Sequence, residues 1–227
     1  MLFRRQVREY TVISKIGGGR YGVCYLAQDQ TGRDVVLKRF RPRMLRKNQR
    51  NNYHEAVILS NLQHGAIPEL LGVVNNRQGY FFILEYKPGD SLERQLFQQD
   101  RKFLDADIFR IGSQILDILL YLHHHGVVHR DISIANVLDD GKQVSLIDFG
   151  LARYMDGGRI DPALDYSCFG NLLLYLLYST YHGKEKGAWY RVLPLSQDKK
   201  YYLMRLMGLA PRFKSTEEVR AQFDSAF

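Results

Sequence analysis

Three side chains carrying oxygen donors, Asp131, Asn136 and Asp148, restrict the fold of this chain more than any other feature. Asp131 and Asn136 lie in His129-Arg130-Asp131-Ile132-Ser133-Ile134-Ala135-Asn136, and Asp148-Phe149-Gly150 begins twelve residues after Asn136. A helical run ending in Leu122-His123-His124-His125-Gly126 precedes the first stretch. Val137-Leu138 and Val144-Ser145-Leu146-Ile147 are β-rich and separate the two. A short loop followed by a hairpin therefore brings two carboxylates and one amide to a single point.

The chain of 227 residues suffices for one large domain or two small lobes around a cleft. Its 45% hydrophobic and 25% charged residues are those of an ordinary soluble protein. Cys24 and Cys168 are far apart and form no CxxC pair, which favours a reducing, cytoplasmic setting over a disulfide frame or zinc site. Met1-Leu2-Phe3-Arg4-Arg5 lacks the apolar core of a signal peptide, and the apolar run at 172–178 is too short to span a bilayer. No membrane segment is expected. The net charge of +8 is concentrated: residues 1–50 hold 13 Lys or Arg against Glu9, Asp29 and Asp34.

Residues 10–16 alternate like a strand and stop at Gly17-Gly18-Gly19. Strand character resumes at 23–28, and Asp29-Gln30-Thr31-Gly32 turns into Val35-Val36-Leu37-Lys38. This predicts a meander of three antiparallel strands with Gly17-x-Gly19-x-x-Gly22 in its first hairpin. A dinucleotide fold would put such glycines between a strand and a helix. Here a strand follows, which suits a loop lying over nucleotide phosphates. Residues 44–62 read as a helix with Ile58 and Leu62 on one face and Glu55 projecting elsewhere. Two strands, 70–75 and 80–85, follow, and Tyr86-Lys87-Pro88-Gly89-Asp90 breaks the pattern. Beyond it the chain is mainly helical: Ser91 caps a helix to 98, and Ile108, Ile111, Ile115, Ile118, Leu119 and Leu122 mark a long helix over 106–125. Further helices are predicted over 168–178, 198–209 and 216–227.

These residues resemble the eukaryotic-type (Hanks) protein kinases over nearly the whole chain, in a compact layout similar to small bacterial members. The resemblance implies an α+β bilobal fold. It has an antiparallel N-lobe over about 1–85, a hinge over 85–90 and a mainly helical C-lobe over 91–227. It implies ATP and Mg2+ (or Mn2+) as cofactors. Gly17, Gly19 and Gly22 belong to the glycine-rich loop, Lys38 is the α/β-phosphate lysine, and Glu55 is its helical partner. Leu84 takes the gatekeeper position, and Glu85, Tyr86 and Lys87 the hinge whose backbone binds adenine. Ile16, Cys24, Val36 and Leu138 are placed around the base. Asp131 is the implied catalytic base, with Asn136 and Asp148 as metal ligands. Leu59, His129 and Phe149 match the regulatory spine, and Asp165-Tyr166-Ser167-Cys168-Phe169-Gly170 matches the segment whose aspartate braces the catalytic loop.

The pattern departs from the family twice. Ser133 stands where Ser/Thr members usually have a lysine that neutralises γ-phosphate charge. Losing such a charge-assisted contact costs about 1.5–3 kcal/mol, and Arg130, Arg153 and Lys142 are candidate substitutes. Only 17 positions separate Asp148 from Asp165, no A-P-E follows, and Tyr154 is the sole hydroxyl between Phe149 and Leu164. Activation by a Ser/Thr phosphosite in this segment is therefore not expected.

The run from Lys38 to Arg50 holds seven basic residues and no acid. A solvated face is the plain explanation. Arg39, Arg41, Arg43, Arg46, Lys47 and Arg50 also suit DNA, another polyanion or an acidic partner acting as an activator. His123, His124 and His125 point in different directions at a helix end, so they do not ligate one ion, and His123 is assigned a structural role. The expected function is an ATP-dependent protein kinase acting on Ser or Thr of protein substrates, with a homodimer as an added expectation. A kinase-fold phosphotransferase for a small molecule, or a nucleotide-binding scaffold with weak catalysis, are the alternatives.

Overall fold

The computed structural model describes residues 6–19, 22–43, 49–156 and 160–227. The chain forms two compact units, Met1–Lys87 and Pro88–Phe227.

The first unit is an antiparallel sheet of β1 (Gln6–Val7), β2 (Tyr10–Gly18), β3 (Gly22–Gln28), β4 (Asp34–Phe40), β5 (Leu70–Asn76) and β6 (Gly79–Glu85), in the order β1-β2-β3-β4-β6-β5. The period of two along each strand sends Ala27, Val35, Leu37, Phe81 and Ile83 to one face, where they form a buried core with Val7 and Val74. The sheet carries an edge strand, β1, that the sequence pattern does not announce. Helix α1 (Gln49–Ser60) ends before the 62 expected, and 44–48 of that expectation lie outside the described residues.

In the second unit, Ser91 caps α2 (Leu92–Phe97), its hydroxyl accepting from Arg94 N at 3.2 Å. The long α3 (Asp105–His124) buries Ile108, Ile111, Ile115, Ile118, Leu119 and Leu122, as its helical spacing requires. β7 (Asp90–Ser91), β9 (Val137–Asp139) and β10 (Val144–Leu146) form one small sheet. β8 (Val127–Val128) and β11 (Arg153–Tyr154) form another. A buried carboxylate fastens the hairpin of β9 and β10 to α3: Asp139 takes two bonds of 2.9 Å from the Arg110 guanidinium.

Helix α4 spans Ala163–Tyr178, five residues earlier than the 168 expected from apolar character. Its first turn is polar because Asp165, Tyr166 and Ser167 have partners elsewhere. A short α5 (Trp189–Val192), unforeseen in the sequence, precedes α6 (Gln197–Leu206) and α7 (Thr216–Ala226). Both α6 and α7 end before the limits expected for them. Helix α7 packs on α3 where Gly112 leaves room: a Cβ there would lie 2.3 Å from the Phe223 ring.

Candidate active site

In the first unit, β3 pairs with β4 so that Cys24 opposes Lys38, and β4 with β6 so that Val36 opposes Leu84. Opposed residues share a face. Cys24, Val36, Lys38 and Leu84 therefore lie together on the side of the sheet away from its core. Ile16 falls at a register shift of β2 and is half exposed. Lys38 Nζ meets Glu55 Oε1 at 2.6 Å, with Lys38 8% and Glu55 1% exposed. Glu55 does not project into solvent, as helical spacing alone suggests; the ammonium draws it inward, where the two charges satisfy each other.

The glycine run extends the hairpin instead of stopping it. β2 continues to Gly18, opposite Val23, and Gly19 N donates to Gly22 O at 3.0 Å. The glycines are not equivalent. A Cβ on Gly22 would fall 2.4 Å from the Arg39 carbonyl, so the fold itself demands glycine there. A Cβ on Gly19 would meet nothing within 4 Å. Its missing side chain leaves open surface beside a hairpin tip, which is what backbone N–H groups need to approach a ligand. Arg41 Nε donates to Gly19 O at 3.1 Å, tying the tip to the end of β4.

Where β6 leaves the sheet, Glu85 N donates to Glu69 O at 2.9 Å. Lys87 turns its side chain inward: Nζ donates to Gly65 O at 2.6 Å and pairs with Glu85 Oε2 at 2.9 Å. Tyr86 between them is half-buried.

In the second unit, Asn136 Nδ2 donates to Asp131 O at 3.0 Å and to Asp131 Oδ2 at 2.9 Å. Ile147 N donates to Asn136 O at 2.9 Å, which brings the start of Asp148-Phe149-Gly150 against the loop. Asp148 is left-handed at φ 65°, and its Oδ1 accepts from Gly150 N at 3.3 Å. Phe149 packs edge-on to His129 at 4.7 Å, and both are buried. Burial pushes the His129 imidazole down, so it stays neutral. Burial pushes the Asp131 carboxyl up, Asp148 adds to this, and the Asn136 bond opposes it. Asp131 is thus a better proton acceptor than an ordinary aspartate.

The loop is held from below. Asp165 on α4, wholly buried, accepts from His129 N at 2.8 Å and from Arg130 N at 2.6 Å. Arg130 is left-handed at φ 70°, a conformation that costs about 1–3 kcal/mol and persists only where the surroundings fix it. Two amides anchored on one carboxylate do so.

The protein kinase domain model matches residues 10–167. This chain belongs to the protein kinase family. A probable serine/threonine-protein kinase of Bacillus subtilis (strain 168), YbdM, is 30% identical over 96% of this chain and 89% of its own length. CTD kinase subunit alpha of Schizosaccharomyces pombe is 35% identical over 64% of this chain, and serine/threonine-protein kinase ICK of Rattus norvegicus is 31% identical over 65%. The kinase spans about a quarter of the length of those two eukaryotic relatives. Members of the family transfer a phosphoryl group from ATP with divalent metal ions.

The donor set of this kinase suits such an ion. Because Asn136 spends its NH2 group on Asp131, its oxygen is left for a cation, and Asp148 supplies a carboxylate. Two hard oxygen ligands, with phosphate and water completing the shell, are what Mg2+ takes. No group of three or more His, Cys, Asp or Glu suited to a metal occurs among the described residues.

Of the cations proposed to replace the lysine absent at Ser133, Lys142 is ruled out by register. It sits at the turn of the β9–β10 hairpin, opposite the end where Val137 pairs with Leu146 beside Asn136. Arg130 reaches Leu151 O at 3.4 Å, and Arg153 bonds the Ala152 carbonyl. Ser133 gives its carbonyl to Asn136 N at 3.0 Å. Leu138 is half-buried on β9. In the basic run, Arg39 lies over the Phe81 ring and Arg41 holds Gly19, while Arg43 is exposed. Arg46, Lys47 and the Arg50 side chain lie outside what is described. The three histidines diverge as expected: His123 bonds Thr216 and Asp165, His124 bonds Glu217, and His125 bonds Tyr121 O. No helix among the described residues is long and apolar enough to cross a membrane.

Sequence reasoning missed the Arg41 tie, the inward turn of Lys87 and the part played by Thr216. These contacts join residues distant in the chain with no local pattern. Of the side chains in the first turn of α4, only Asp165 was indicated beforehand, by the resemblance of 165–170 to the bracing segment.

Proposed function

We propose that this kinase transfers the γ-phosphoryl group of ATP to serine or threonine hydroxyls of proteins. The observation that carries the reading is the buried Lys38–Glu55 pair at 2.6 Å. A buried ion pair costs desolvation that an apolar pair avoids, so it makes little sense in a scaffold. It makes good sense as a fixed ammonium for phosphate oxygens. The names of the relatives favour Ser/Thr acceptors.

In this reading Lys38 binds the α- and β-phosphates and Glu55 fixes its direction. Backbone N–H groups of the 17–22 hairpin take the remaining phosphate charge. Cys24, Val36 and Leu84 meet the adenine ring, and the 85–87 backbone hydrogen-bonds its edge. Asn136 and Asp148 hold the divalent ion, Mg2+ or Mn2+. When bound, that ion neutralises phosphate charge and orients the transferred group. Asp131 accepts the proton of the substrate hydroxyl as its oxygen bonds the γ-phosphorus and the bond to ADP breaks.

The activation segment contains no serine or threonine between Phe149 and Leu164, so turnover is independent of a Ser/Thr phosphate there. Arg39 lies over the Phe81 ring and Arg41 bonds Gly19 O, so these two cations have partners within the fold, and basal turnover is expected without a polyanion. Labelled ATP and Mg2+ incubated with basic proteins and with small-molecule acceptors, with and without duplex DNA, test the reading together. Label on protein that disappears in Lys38→Ala and Asp131→Ala supports it. Turnover only with a small acceptor, or only with DNA, would contradict it.

A further inference from the structure

We infer that Thr216, the first residue of the C-terminal helix α7, is a positioning residue for the catalytic loop, acting through His123 and Asp165. The inference rests on the reading of residues 129–136 as catalytic. Thr216 lies beyond the 10–167 stretch that matches the family model.

The hydrogen-bond partners fix a direction for every proton. Asp165 accepts from the backbone N–H of His129 and of Arg130, and its Oδ2 lies 3.0 Å from His123 Nε2. A carboxylate with two donors already in place only accepts, so His123 Nε2 carries a proton. On its other side, His123 Nδ1 lies 2.6 Å from Thr216 Oγ1, which lies 2.8 Å from the Tyr166 hydroxyl. Burial pushes the Tyr166 phenol up, keeping it protonated, and Thr216 is its partner. Tyr166 therefore donates to Thr216, Thr216 donates to Nδ1 of a neutral His123, and His123 donates to Asp165. The Thr216 hydroxyl gives one proton and receives one, and the chain ends on the two amides that hold Arg130 left-handed next to Asp131.

All four side chains are shut away from water: Thr216 is 4% exposed, Tyr166 5% and Asp165 0%, and the His123 side chain is buried. A network this dry fixes one tautomer and one ring orientation. The docking of α7 does not depend on it, because Val219, Phe223 and Ala226 are buried on their own account and Phe223 sits over Gly112.

Thr216→Val keeps the shape and removes the hydroxyl. It is expected to lower kcat about tenfold while KM for ATP changes by less than about twofold, and Thr216→Ser is expected to restore kcat to within about twofold. Circular dichroism establishes that each variant is folded. In the wild-type protein, 15N NMR is expected to find His123 neutral with the proton on Nε2, a result independent of any variant. An unchanged kcat in folded Thr216→Val, a Thr216→Ser variant as slow as Thr216→Val, or a His123 protonated on Nδ1 would each overturn the inference. Wild-type activity that survives Asp131→Ala would overturn the catalytic reading and this inference with it. Normal dependence on Asp131 beside an indifferent Thr216→Val would overturn this inference alone.

Discussion

The Asn136 side-chain amide donates at once to the backbone carbonyl and to the carboxylate of Asp131, at 3.0 and 2.9 Å. One residue thereby fixes the direction of the Asp131 carboxylate. The bond also partly offsets the burial that pushes Asp131 up. Asp131 is costly to keep ionised and useful for that reason.

A base works only when deprotonated, and the raised pKa of Asp131 means that the acid limb of kcat/KM lies above the ordinary aspartate value of 3.8. Activity falls as pH drops through that limb. A pH–rate profile taken with saturating metal checks this; a limb at or below the ordinary value would contradict it.

The same shift has a consequence for stability. A carboxylate whose folded pKa is raised destabilises the fold wherever it is ionised, above that pKa. Asp131→Asn keeps an oxygen for Asn136 and removes the charge. Its melting temperature at neutral pH is expected to equal or exceed that of the wild type, although activity is lost.

Lys38 and Glu55 behave oppositely, because both are charged and buried. Lys38→Met is expected to cost about 3–5 kcal/mol in urea denaturation, and Lys38→Met with Glu55→Leu to recover much of it. Neither variant transfers phosphate. Equal stability of the single and double variants would show that the pair is not coupled.

The glycines of the 17–22 hairpin separate a folding role from a binding role. Gly22→Ala forces a Cβ against the Arg39 carbonyl and is expected to destabilise by about 1–3 kcal/mol. Gly19→Ala meets open space, so its stability stays within about 0.5 kcal/mol of wild type while KM for ATP rises. Thermal melts and initial rates on the two variants distinguish these roles.

Much of the site was legible because its parts are local in sequence. Asp131, Asn136 and Asp148 sit on one loop and one hairpin, and Lys38 follows from a strand of period two. Glu55 was found only through the charge it must meet; the helical pattern put it in solvent. The start of α4 was misplaced because its first turn, with Asp165 and Tyr166, is polar for reasons that lie elsewhere in the chain. Thr216 was invisible: its partner His123 is 93 residues away. Gly19 and Gly22 are identical letters, and only the packing of β4 tells them apart.

The most direct measurement is phosphoamino-acid analysis of a protein substrate after incubation with labelled ATP and Mg2+, using wild type and Asp131→Asn in parallel. Phosphoserine or phosphothreonine is expected from the wild type, and at least a hundredfold less from a folded Asp131→Asn. Undiminished transfer by Asp131→Asn, or label that never reaches protein hydroxyls, would contradict it.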